Sequence, residues 1–146
     1  MTAWRDDLSP AAHADVDRLI DSALTIARAN LARASEFEPF AIVVDDDGRL
    51  LGTDWDTSAL GKHPEIEDVI AAALVQLRHI GRTSRATALV TNSRLARERT
   101  DAVEVRLEHR DGIALVVLLP YKRARFGPNI EFGQLSAFTG TREVWP

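Results

Sequence analysis

Asp101-Ala-Val-Glu-Val-Arg-Leu-Glu-His-Arg-Asp-Gly-Ile-Ala-Leu-Val-Val-Leu-Leu-Pro-Tyr121 is the stretch whose reading decides the fold class. Val103, Val105, Leu107 and His109 alternate with Glu104, Arg106, Glu108 and Arg110, so one face of this strand is apolar and the other charged. Asp111-Gly112 then reverses the chain, because a tight hairpin needs a positive φ that glycine adopts at little cost. The return run Ile113 to Leu119 is apolar at every position, which suits a central strand covered on both faces. Its charged neighbour cannot supply both covers, so something else must.

Upstream, Ser9 can cap a helix and Pro10 suits its first position, where a missing N–H costs nothing. Val16, Leu19, Ile20, Ala23, Ala27 and Leu31 then share one face of an amphipathic helix. Pro39 breaks that pattern. Phe40 to Val44 and Arg49 to Trp55 read as two strands joined by the turn Asp45-Asp46-Asp47-Gly48. A second helix runs from near Lys62-His63-Pro64 to Ile80, with Ile66, Val69, Ile70, Ala73, Leu74 and Leu77 as its buried stripe. Ala72 and Val75, opposite that stripe, lack the dense charge of a solvated face. Downstream come a strand Ala86 to Thr91, a basic loop Asn92 to Thr100, the hairpin, a second basic loop Tyr121 to Pro128, and a last strand Ile130 to Phe138.

The order α-β-β-α-β-β-β-β predicts an α+β fold: an antiparallel sheet of about five to six strands backed by two helices. This order resembles the profilin-like or PAS-like class, in which an early hairpin returns to pair with the last strand. The resemblance lies in the order of elements over most of the chain and brings no activity with it. With 146 residues and no repeat or linker, residues 1–146 read as one domain.

The chain has no cysteine, which excludes disulfides, thiol catalysis and thiolate-bound metals. No apolar run reaches membrane-spanning length, and Met1 to Asp7 is too acidic and polar for a signal peptide, so a cytoplasmic location is expected. The net charge of −4 conceals an asymmetry: residues 1–72 carry 15 acids and 6 bases, residues 73–146 carry 7 and 12. The plainest reading is that the halves pack with complementary charge; the sharper one is an anion-binding surface on the second half.

Asp45 to Gly48 offers carboxylates on a turn, but the glycine stands fourth rather than sixth and no glutamate follows until Glu65, so a hairpin turn is expected and no metal site. Asp54-Trp55-Asp56-Thr57-Ser58 resembles the D-x-D motif of aspartate-based phosphotransferases. It departs from that motif in placing Ser58 where Thr or Val stands, and Leu51-Gly52-Thr53 does not provide the apolar run before it. His13, His63, His79 and His109 never fall at ligand spacing, and no glycine-rich phosphate loop occurs, so no cofactor is expected. His109 points inward, either as a satisfied buried histidine or as an acid-base group in a pocket.

Six cations remain: Arg94, Arg97 and Arg99 before the hairpin, and Lys122, Arg123 and Arg125 after it, flanked by Tyr121 and Phe126. An antiparallel meander brings both loops to one end of the sheet, where arginine forks could hold an anionic ligand such as a phosphate or nucleotide. Asp45 to Asp47 would join them if the first strand paired with the last. Sequence-specific nucleic-acid binding is disfavoured by the acidic balance and the lack of a recognition motif. The reading that results is a small cytoplasmic binding or regulatory module, non-enzymatic, acting through protein contacts and forming a homodimer. A small enzyme around His109, or an anionic-ligand site at the basic loops, is the alternative.

Overall fold

The computed structural model describes residues 8–127 and 129–146. The reading of Met1 to Asp7 as unlike a signal peptide, and the place of Pro128 in the second basic loop, lie outside the described residues. The elements are α1 (Pro10–Arg33), β1 (Phe40–Asp45), β2 (Leu50–Thr53), α2 (Ile66–Ile80), β3 (Ser84–Leu95), β4 (Thr100–His109), β5 (Ile113–Arg123), β6 (Ile130–Phe132) and β7 (Ser136–Thr139). They form an α+β fold whose antiparallel sheet curls into a half-barrel, in the order β2-β1-β3-β4-β5-β6 with β7 also on β5. No helix among the described residues is long and apolar enough to cross a membrane.

The fold class follows the sequence, with one strand more, because the final run breaks into β6 and β7. Pro120 has no N–H to give the ladder, and Gly133–Leu135 bulge opposite Leu119–Pro120, between the pairs Tyr121↔Phe132 and Leu118↔Ser136. The Gly133 N–H donates to the Pro120 carbonyl at 2.7 Å, and a Cβ on Gly133 would lie 3.3 Å from Pro120 Cβ. The early hairpin also departs from the profilin-like or PAS-like pairing. β1 pairs with β3, from Phe40↔Val90 to Asp45↔Ser84, and not with the last strand. Successive elements tend to be neighbours in space, and β3 is the first strand after α2.

The two helices take opposite faces. Ser9 Oγ accepts the Ala12 N–H at 3.2 Å and starts α1, whose Val16, Leu19, Ala23, Ala27 and Leu31 pack on Ile42, Val44, Val105, Leu107, Leu115 and Val117. Burying such a leucine contributes about 1.5–3 kcal/mol. Thus α1 supplies one cover of β5. On the other face α2 meets Ala41, Val43 and Leu89. It begins at Ile66, later than the sequence reading, and only Ala73 and Leu77 of the expected stripe are buried; Ile66 is exposed. The reason lies in Val144 and Trp145, which occupy the sheet face beside α2 and leave it only the strip over β1 and β3.

Candidate functional site

The expected basic loops are shorter than read: β3 runs on to Leu95, β4 starts at Thr100 and β5 runs on to Arg123, which leaves Arg97, Arg99 and Arg125 outside the strands and puts Arg94, Lys122 and Arg123 in them. Leu95↔Thr100 and Arg123↔Ile130 close the ladders, so the β3–β4 and β5–β6 turns leave the sheet at the same end. Arg94, in β3, pairs with Asp101 of β4 at 3.3 Å. Arg123, in β5, donates to the carbonyls of Leu31 and Ala34, capping the C-terminal end of α1 where free carbonyls attract a cation. The Arg125 guanidinium lies 5.9 Å from the centre of the Phe126 ring. Arg97, Arg99 and Lys122 have no ion pair among the described residues. Beneath them the Tyr121 hydroxyl donates to Asn92 Oδ1 at 2.6 Å, and burial pushes its pKa above the ordinary phenol value.

Asp45 to Asp47 do not join this end. Pairing of β1 with β3 sends them to the opposite end of the sheet, beside the start of β3 and the β4–β5 turn. There Asp45 Oδ1 accepts the N–H groups of Arg49 (2.8 Å) and Asp47 (2.9 Å), while Oδ2 takes Arg49 Nε at 3.0 Å. These bonds, led by the Arg49 N–H, hold the carboxyl below the ordinary aspartate range. The turn is a carboxylate-capped hairpin. Asp46 pairs with Arg110, and Arg18 of α1 donates to the Gly48 carbonyl at 2.8 Å. Acids of the first half meet bases of the second here, as the plainest reading of the charge asymmetry requires. Asp56 is likewise held by backbone: its Oδ1 accepts the Ser58 N–H at 2.8 Å, which lowers its pKa.

His109 is 4% exposed and belongs to the same end. The Asp111 N–H donates to its Nδ1 at 3.1 Å, which fixes the proton on Nε2, and Nε2 donates to Asp15 Oδ2 at 3.0 Å. The other oxygen of Asp15 accepts from Arg85 Nη2 at 2.9 Å. Both ring nitrogens are therefore occupied, and the imidazole ties α1 to the β4–β5 turn. Gly48 closes against this cluster with φ of 82°; a Cβ there would lie 3.0 Å from Arg85 Nη2.

A second buried carboxylate, Glu108, sits on the α2 face of β4. Its Oε2 accepts the N–H groups of Glu143 (3.0 Å) and Val144 (2.7 Å), and Oε1 that of Trp145 (3.2 Å). The segment it anchors walls a cleft of about 430 Å³, with Leu74 and Leu77 of α2 on one side and Thr87, Arg106 and Val116 among the floor residues. Arg106 reaches Glu104 at 3.3 Å and Glu143 at 3.8 Å. Beyond it the sheet face is apolar and open: Val116 and Leu118 are half-buried, and Phe138, opposite Val116 on β7, is 53% exposed.

Sequence reasoning missed Asp15, Arg85 and Glu108. Asp15 carried a signal, as an acid on the buried stripe between Ala12 and Leu19. Glu108 carried none, since it occupies a position that the alternation marks as solvated. Comparison with protein-family models, curated proteins and solved structures returns no match to this chain.

Proposed function

We propose that this protein is a small non-enzymatic binding module that acts through protein contacts and pairs with a second copy of itself. The observation that carries the reading is the open apolar face of β5 and β7, the cover that the all-apolar run Ile113 to Leu119 lacks on its second side. Val116, Leu118 and Phe138 form it, and Val75 of α2 is 65% exposed. Apolar surface of this kind on a folded chain marks a contact site. Glu104, Arg106 and Glu143, which pair with one another, lie beside it, so a two-fold contact between copies would have charges of both signs at its rim. The non-enzymatic part of the reading is supported by the state of the buried titratable groups. His109 has no ring nitrogen left for a proton transfer, and Glu108 is engaged by three backbone N–H groups. Light scattering from micromolar to near-millimolar concentration tests the pairing: a dimer that Phe138→Glu turns into a folded monomer is expected, and a monomer throughout removes it.

A second reading, weak binding of anions, rests on Arg97, Arg99 and Lys122, whose side chains make no ion pair or hydrogen bond among the described residues, at the sheet end that also carries Phe126, which is 86% exposed. Titration of labelled single-stranded RNA at two salt concentrations tests it. Binding should be weak, fall steeply with salt and weaken in Lys122→Glu. Binding that ignores salt, or is unchanged by the charge reversal, returns these residues to plain solvated cations.

A further inference from the structure

We propose that the free edge of β2 and the cleft at its end together take an extended peptide carrying a lysine or arginine side chain, an inference that rests on the reading of this chain as a protein-binding module. Two separate observations meet here. The first is the edge. β2 ends the sheet, pairing with β1 alone. The Asp45 N–H donates to the Arg49 carbonyl at 2.9 Å, and antiparallel alternation then makes Val43↔Leu51 and Ala41↔Thr53 the bonded pairs. The N–H and C=O groups of Leu50 and Gly52 consequently face outward. Exposed edges are usually blunted by shortness, charge, proline or a bulge; β2 is short, but Leu50–Thr53 carries no charge, proline or bulge.

The second observation is the cleft, of about 670 Å³, that begins where β2 stops. Phe40 and Trp55 stand in its wall with Pro39 and Pro64. Both rings are half-buried, and Trp55 packs on the core beneath α2 while still lining the cleft. Glu36, Glu38 and Asp54 also line it, and none of the three makes an ion pair or hydrogen bond among the described residues; Lys62 and His63 are the basic side chains of the lining. Aromatic faces attract a cation through their quadrupole, and unpaired carboxylates beside them give that cation a counter-charge. An apolar or anionic side chain gains neither. A four-residue edge offers few ladder bonds, so the edge sets the direction of the peptide and the cleft selects its side chain.

The test uses the whole chain and a fluorescein-labelled peptide, Thr-Val-Thr-Lys-Val-Thr-Val, with norleucine or glutamate in place of lysine as controls. Anisotropy should show the lysine peptide binding about tenfold more tightly than the norleucine one, as for one charge-assisted contact, and the glutamate peptide more weakly still. Glu38→Lys with Asp54→Lys should weaken the lysine peptide by about tenfold or more without moving the melting temperature, because both residues are exposed. The Leu50 and Gly52 amide signals should shift on titration. Equal binding of all three peptides, or of none, overturns the proposal. If the double charge reversal instead dissolves a dimer seen by light scattering, the edge belongs to a second copy and the peptide is excluded. Self-association through Phe138 reads the parent proposal separately: a peptide failure with that dimer intact sinks only this inference, and a monomer that binds the lysine peptide sinks only the dimer.

Discussion

Replacing Glu108 by alanine would leave the N–H groups of Glu143, Val144 and Trp145 without their shared acceptor. An unmade buried hydrogen bond costs about 1–3 kcal/mol, and the three share one anchor, so we expect a loss of about 3 kcal/mol in denaturant melts. Hydrogen exchange should speed up at residues 143–145 well before it does in β4; unchanged exchange there would refute the anchor. Asp15→Ala should cost about 2–4 kcal/mol, since it leaves the buried His109 Nε2–H without its acceptor and removes the carboxylate from Arg85. Asp45 yields a pH prediction. Its folded pKa is depressed, so its contribution to stability is present above the unfolded value near pH 4 and is lost as the pH falls through the folded value. The stability gap between wild type and Asp45→Asn should therefore be constant near neutrality and close in acid; a gap that widens on acidification would contradict the assignment. Such groups are half legible in a sequence. Asp15 stands on an apolar stripe, whereas Glu108 looks like any solvated strand residue until Val144 lies over it.

Among the elements, β4 and β5 were readable because alternation and a glycine turn are local properties, but their register was not: a two-residue Asp111-Gly112 turn would pair Arg110 with Ile113, whereas a three-residue turn, Arg110 to Gly112, pairs His109 with Ile113 and Leu107 with Leu115. Leu115, at 2% exposure, provides the direct check: Leu115→Asp should abolish cooperative unfolding, while Arg106→Ala should cost no more than about 1 kcal/mol. Equal effects would contradict the strand assignment. Arg94, Lys122 and Arg123 were read as loop residues because charge obscured the continuation of β3 and β5. Their strand positions depend on partners that no local pattern encodes, Asp101 for Arg94 and the end of α1 for Arg123. The thin packing of α2 was hidden for the same reason, since its stripe is long enough to bury but the sheet beneath it is already occupied.

At the scale of the molecule, the sequence conveyed the class of fold and the charge asymmetry, but not which strand the first hairpin would join. That choice is made by distant pairings. β3, β4 and β5 follow one another through turns and pair in chain order, whereas β1 reaches β3 only across α2. Contacts close in sequence lose less loop entropy on forming, so the three-strand meander should nucleate folding and the β1–β2 hairpin should dock afterwards. Val105→Ala should then slow refolding, while Val43→Ala should chiefly speed unfolding, a contrast that chevron plots resolve. Until that docking is complete, β3 is itself an unpaired edge of apolar sequence, Ala86 to Val90, and the chain's hazard of aggregation is concentrated in that interval rather than in the native state.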